Sequence, residues 1–460
     1  MRIQTRATRH LGILAIAVLA AACTSAAPGS MTPIATPEPS ALTLGSSSWP
    51  AGPATTDRPG ASTTPIAAGA RDAWLVVGRP GESSVRVILA SSGEEDFELP
   101  LGVPDATWGH LVTVSSSRPN SLIEDLVVQP GFGGRTRSIS GAWRLPTVGL
   151  DPMPAGVSAD GSTIVLVEDR PEGAAPTGVS RFAIVARSLR SEPRIVELPG
   201  AFDFDTLSPD GSILYVAEHV PGPLAGRYQV RAIDTATGLM RDAIIVDKRN
   251  VDEAMAGWAI DQELRPDGMV LTLYRGVEHP FIHALQSVEA WAFCIDLPTR
   301  GMDDSSATAD WGVVATADGR SNLAINATLA MIVDVDPGEF TVRRVVDFEP
   351  SAVRGITLAK FGHAEAGAVG RRIVTTPDGT AVFAGGARGI VRVDTADLTV
   401  SARALEGTAV DAIAVTPDGS TLYALVRDGG RIAQLDAVTG GLLGWAAGDG
   451  YDRLVGIVPW

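Results

Sequence analysis

Lysine is almost absent from this chain, with only Lys248 and Lys360 among 460 residues, and cysteine occurs only at positions 23 and 294. The remaining cations are arginines, a bias read here as coding preference rather than mechanism. Positive charge is also the minority sign: 37 Lys and Arg face 53 Asp and Glu, for a formal charge of −16. An acidic chain of this kind argues against nucleic acid as a partner and against a basic patch on anionic lipid. Short chemical signatures are missing too. The sequence has no Gly-x-Ser-x-Gly elbow, no His-Glu-x-x-His, no Cys-x-x-Cys and no phosphate-cradling glycine loop followed by Lys. No cofactor is therefore expected. Cys294, flanked by Trp291-Ala292-Phe293 and Ile295, reads as a strand thiol inside the fold rather than a nucleophile.

Long apolar runs are confined to the N-terminus. Arg2, Arg6 and Arg9 precede Leu11-Gly12-Ile13-Leu14-Ala15-Ile16-Ala17-Val18-Leu19-Ala20, and no acid appears before Glu38. That pattern predicts a signal peptide over residues 1–22, too short for a comfortable membrane span. It ends Leu19-Ala20-Ala21-Ala22-Cys23-Thr24, which resembles a bacterial lipobox. The resemblance implies cleavage before Cys23, diacylation of its sulfur and an extracytoplasmic protein held on the cell membrane by that lipid. Two acyl chains give stable anchoring where one would be marginal. Ala20 stands where Leu is commoner, so an ordinary signal peptidase cutting after Ala-x-Ala is the alternative. With Cys23 acylated, Cys294 has no intramolecular disulfide partner.

Residues 23–68 read as the lipidated Cys followed by a disordered Ser/Thr/Pro/Ala-rich tether, whose only charges are Glu38, Asp57 and Arg58. Such a segment cannot bury enough apolar surface to offset its ordering entropy. As a flexible chain it spans roughly 40 Å. Removing residues 1–22 takes away three arginines and no acid, moving the formal charge from −16 to −19.

The rest of the chain, residues 69–460, is dominated by one repeated mark. A strand-like run, a small residue or Pro, Asp-Gly and a second run recur at Asp160-Gly161, Asp210-Gly211, Asp267-Gly268, Asp318-Gly319, Asp378-Gly379 and Asp418-Gly419. Asp tolerates left-handed backbone and accepts nearby amides, Gly supplies positive φ, and the pair is a strong hairpin signal. These aspartates are accordingly expected as structural turns rather than a ring of reactive carboxylates. A second Asp closes a later apolar run: Asp334, Asp394 and Asp436 follow Asp318, Asp378 and Asp418 by 16, 16 and 18 residues, and Asp234 ends a similar run. Each unit thus reads as four antiparallel strands, the size of one propeller blade.

Pro-Asp-Gly paired with a downstream Val-Asp-x-x-x-Gly-type turn resembles the YVTN-type and WD-repeat-like β-propellers of bacteria, among them lactonase-like and quinoprotein-like ones. No blade ends in Trp-Asp and none opens with Gly-His, so the chain departs from true WD repeats. The resemblance implies an all-β propeller of four-stranded blades and leaves function open, because such propellers host enzymes, binding modules and scaffolds. Asp452–Pro459 resembles a first strand that stops before its turn, and Ala73–Gly78 a second strand lacking its first. The two are expected to pair and close the ring, leaving no free sheet edge. Seven blades are expected; residues 104–146 are the alternative, an eighth.

Few side chains suggest chemistry. His279 and His283 are the candidate metal ligands, with Glu278 and Glu289 nearby, but Pro280 between them argues against a shared helical face and an exposed loop is expected. The run 302–310 offers oxygens without calcium-loop spacing and reads as a solvated turn. Trp108, Trp258 and Trp311 are expected to pack in the core. Two functions follow. The first is a non-catalytic binding or scaffolding module at the cell envelope, engaging a protein, glycan or peptide through loops 168–180, 218–228, 247–258 and 275–290. The second is a lactonase-like or other hydrolytic enzyme with a site at the channel mouth.

Overall fold

A computed structural model of the chain describes residues 72–105, 108–128, 133–149, 153–170, 178–221, 226–247, 254–349 and 370–458. The segments expected to be a signal peptide and a tether, with Cys23, lie outside the described residues, as do parts of three of the loops named above. Valine- and isoleucine-rich runs form most of the strands, since β-branched side chains suit a pleated surface covered by neighbours. Tyr215, Phe383, Tyr423, Leu75 and Ile164 are among the largest side chains that are completely enclosed.

Apart from one short pair, Thr147–Val148 with Met153–Pro154, the strands group in fours. Sheet 1 combines Trp74–Gly78, Ser84–Leu89 and Glu95–Pro100 with Arg453–Val458 from the other end of the chain. Sheets 2 to 8 then follow in order over residues 102–140, 143–199, 202–245, 255–296, 311–347, 373–404 and 410–445. Pairing between sequence neighbours is antiparallel throughout. Sheets 4 and 5 also run together, because Arg227 and Tyr228 pair with Ala256 and Met255.

Eight apolar clusters hold the sheets face to face. Each is shared by two consecutive sheets: Ile164 and Leu166 of sheet 3 pack with Val112 and Ile123 of sheet 2, and Leu214 and Val216 of sheet 4 with Val165 and Phe182 of sheet 3. The series returns on itself, with Tyr423 and Leu425 of sheet 8 packing on Leu75 and Val77 of sheet 1. Sheets stacked in a closed round are the blades of a β-propeller. The first strands of sheets 5 to 8 and the strand Arg453–Val458 stand side by side around a central channel.

The described residues therefore hold eight four-stranded groups, where seven blades were expected. The additional one is sheet 2, the segment kept as the alternative. It escaped the repeat pattern because its first turn lacks Asp-Gly: Asp105 Oδ1 accepts the amide of Gly109 instead. Residues 280–286, expected in a loop, form the strand Pro280–Gln286 of sheet 5.

Candidate functional site

The repeated turns share one hydrogen-bond pattern. In sheet 8, Asp418 Oδ1 accepts the Thr416 hydroxyl at 2.6 Å and the Ser420 amide at 3.1 Å. The Thr416 oxygen in turn accepts the amide of Thr421 at 3.0 Å. Ser208, Thr316 and Thr376 do the same beside Asp210, Asp318 and Asp378, and Ser158 beside Asp160. At Asp267 the hydroxyl is replaced by Arg265, whose guanidinium donates to the carboxylate. The following glycines, such as Gly211 at φ +68° and Gly419 at +70°, occupy left-handed backbone. Hydrogen bonds from Ser208 and Thr376 hold the Asp210 and Asp378 carboxyls below the ordinary carboxylate range. Asp210 Oδ1 and Asp378 Oδ1 accept within their own hairpins. The Ser or Thr two places before five of the six aspartates is legible in the sequence as part of the motif.

The opposite ends of these strands are different. Between sheets 3, 4 and 5 a cleft of about 490 Å³ opens, with Glu168, Arg170, Ser180 and Arg181 on one side and Phe202, Asp203, Asp205 and His219 on the other. Gly257, Trp258 and Tyr274 form its sheet 5 wall, and Arg144 stands at its margin. Residues of three of the loops singled out above meet here: 168, 170 and 180, then 219 and 228, then 257 and 258. Trp258, expected in the core, is 51% exposed and lines the cleft, whereas Trp108 and Trp311 are buried.

Asp205 is a buried, incompletely satisfied carboxyl of this cleft. It is only 4% exposed, and its Oδ2 has no hydrogen-bond partner among the described residues. It sits where the pairing of Phe202–Leu207 with Ile213–His219 skips a residue, Phe204 facing Val216 and Thr206 facing Tyr215. A bulge of this kind re-aims one side chain, here into the cleft. Burial pushes its carboxyl up to about 7, because a desolvated carboxylate is disfavoured against the neutral acid. Nearby, Tyr228 stacks on Tyr274 at 4.9 Å and Tyr274 on Phe281 at 5.1 Å. At the rim, His219 Nε2 lies 2.6 Å from Asp203 Oδ2, and that hydrogen bond raises the imidazole above its ordinary value.

The charged rim is largely self-paired. Glu168 takes Arg170 at 2.8 Å and Arg181 at 3.2 Å. Arg144 donates to the Leu145 carbonyl and has no ion pair among the described residues. Ser180, the cleft serine, donates to the Gly200 carbonyl and accepts the Phe202 amide at 2.8 Å, so its hydroxyl is committed to holding two strands together.

The channel is a second cavity, of about 390 Å³, walled by Val314, Val374, Ile413 and Ile457 and crossed by Glu263 and Arg371 in a 2.6 Å ion pair. Beside it, burial raises the Asp261 carboxyl, which accepts the amide of Val313 at 2.9 Å.

His279 and His283 are separated by the fold. His279 pairs with Asp296 at 2.9 Å near the surface. His283 lies wholly inside, where burial pushes its imidazole down to about 4. Among the described residues no group of three or more His, Cys, Asp or Glu is placed to hold a metal ion. Asp310, read as part of a solvated turn, is 5% exposed and instead ties two sheets through Arg372 at 2.8 Å, Thr328 and the Ala387 amide.

Fold and cleft together define an all-β propeller with a side cleft between blades. Solved structures similar to it include apo AztD from Citrobacter koseri, 12% identical with a TM-score of 0.50, over 84% of this chain and 98% of that one. Another is the dihydro-heme d1 dehydrogenase NirN in complex with DHE, 14% identical with a TM-score of 0.51, over 88% of this chain and 77% of that one. At such identities the likeness is one of fold. No protein-family model and no curated protein matches the chain.

Proposed function

We propose that this chain is an extracytoplasmic lipoprotein whose propeller is a non-catalytic binding module, with the cleft between sheets 3, 4 and 5 as its ligand site. The observation that carries this reading is Asp205, a buried carboxyl with an unpartnered oxygen inside a cleft walled by Trp258 and Tyr274. A carboxyl that stays protonated to about 7 donates one hydrogen bond and accepts another. An exposed indole offers a flat apolar face. A glycan ring or a peptide segment fits that combination, with a negative group directed at Arg144. A serine-based hydrolytic mechanism is disfavoured in this cleft, since the Ser180 hydroxyl is engaged on both sides.

A thermal-shift screen of oligosaccharides and short peptides against the full chain tests the site. A stabilising compound is expected, and Asp205→Asn and Trp258→Ala should each abolish its effect. Compounds that stabilise both variants as well as the wild type would place binding elsewhere, and chemical turnover of a bound compound would overturn the non-catalytic reading.

Membrane attachment rests on the lipobox-like Leu19-Ala20-Ala21-Ala22-Cys23. Globomycin treatment or Cys23→Ala should release the protein from membranes. Continued membrane association of the variant would sink the anchor.

A further inference from the structure

The interface between sheets 4 and 5 encloses a second group of unusual side chains, away from the cleft's polar rim. His283, on Pro280–Gln286, stands directly opposite Cys294, on Trp291–Asp296. Residues so paired project from the same face with their Cβ atoms roughly 4.5–5.5 Å apart. Met255 is the first residue of the strand Met255–Leu264, where sheet 5 pairs with Tyr228 of sheet 4, and the Cys294 Sγ lies 3.4 Å from its Sδ. His283 is 0% exposed, and neither ring nitrogen has a hydrogen-bond partner among the described residues. A thiol against a thioether is ordinary packing. An imidazole buried with both nitrogens unmatched is not, because desolvating it without a partner costs free energy that an apolar residue would avoid.

We propose that His283, Cys294 and Met255 bind one soft monovalent metal ion, of the copper(I) kind, between sheets 4 and 5. Imidazole, thiolate and thioether form a donor set that favours such an ion over hard, oxygen-seeking cations. An ion about 2.3 Å from each sulfur, an ordinary metal–thiolate length, fits between sulfurs 3.4 Å apart. The thioether completes a set in which only two members are His or Cys. Asp247 holds the thiol strand from outside, its Oδ2 accepting the Cys294 amide at 3.1 Å. Cys294 is only part-buried, so the thiol is not sealed from solvent. On binding, the S–H bond of Cys294 is replaced by a sulfur–copper bond and the proton leaves to solvent. The ion enters and remains as copper(I), so no electron moves.

The test is an anaerobic copper(I) titration of the full chain carrying Cys23→Ser, in competition with a chromophoric copper(I) chelator. One equivalent is expected to bind, with a thiolate-to-copper charge-transfer band in the near ultraviolet. Cys294→Ser should abolish binding, and His283→Gln and Met255→Leu should each weaken it roughly tenfold or more. Met255→Leu conserves volume, so its effect is read on a folded core; circular dichroism and melting confirm this for all three. Zinc(II) under the same conditions should bind far more weakly. Failure to hold copper against the chelator, retention of the equivalent in Cys294→Ser, unchanged affinity in both His283→Gln and Met255→Leu, or zinc binding as tight as copper would each overturn the proposal.

Discussion

Trp74 and Val458 face each other across an antiparallel pair, so the first and last strands of the propeller lie in one sheet. The C-terminal strand serves two interfaces at once: Val458 packs with Val76 and Trp108 between sheets 1 and 2, and Leu454 with Leu75 between sheets 8 and 1.

Deleting residues 451–460 should therefore weaken the whole ring. Loss of a buried leucine alone costs roughly 2–5 kcal/mol, and the deletion also frees the edge of Trp74–Gly78. Calorimetry should show a much lower or broadened transition; a truncated chain that melts like the intact one refutes closure as a source of stability.

The turn hydroxyls make a finer prediction. Thr416 both donates to Asp418 and accepts the amide of Thr421. Thr416→Val keeps the shape and removes both bonds, so a loss of about 1–3 kcal/mol is expected in urea unfolding. The same change at Thr399, an exposed partner of Asp397 only, should cost less. Equal effects would mean that the hydroxyl bridge is not what stabilises the turn.

Asp205 sets a pH dependence of the less common sign. Its folded value is raised to about 7, so the folded state holds a proton that the unfolded chain has already released. Its contribution to stability is full below the unfolded value near ~3.9 and is lost as pH rises toward neutrality, with a slope of at most about 1.4 kcal/mol per pH unit. Asp205→Asn should flatten the fall in stability between weakly acidic and neutral pH. An identical slope in the variant would show that Asp205 ionises normally.

The Asp310–Arg372 pair ties sheet 6 to sheet 7. Arg372→Met leaves a buried carboxylate without its cation, a change that typically costs roughly 3–5 kcal/mol. Asp310→Asn with Arg372→Met should recover part of the loss. A single variant as stable as the wild type would make the pair dispensable.

Much of this architecture is written locally. Asp378, Gly379 and the apolar runs beside them sit within a few residues of one another, and their hydrogen bonds close inside that span. Sheet 2 was harder to read because Asp105 makes its turn without an adjacent glycine partner. In Phe202-Asp203-Phe204-Asp205, simple alternation puts both aspartates on one face. The bulge breaks that rule, leaving Asp203 at the rim and Asp205 inside. His283 stands in an apolar row with Phe281 and Leu285, and nothing in that row shows which residues face it.

By itself, the sequence determined the unit, its repetition and the two part-units at residues 73–78 and 452–459, because turn chemistry and strand patterning act over short separations. Only the tertiary structure decided what meets between the blades. It brought Asp205, Trp258 and Arg144 from three sheets to one cleft, and His283, Cys294 and Met255 to one interface. Those encounters depend on register, on one bulge and on how each sheet packs against the next, none of which has a local signature in the chain.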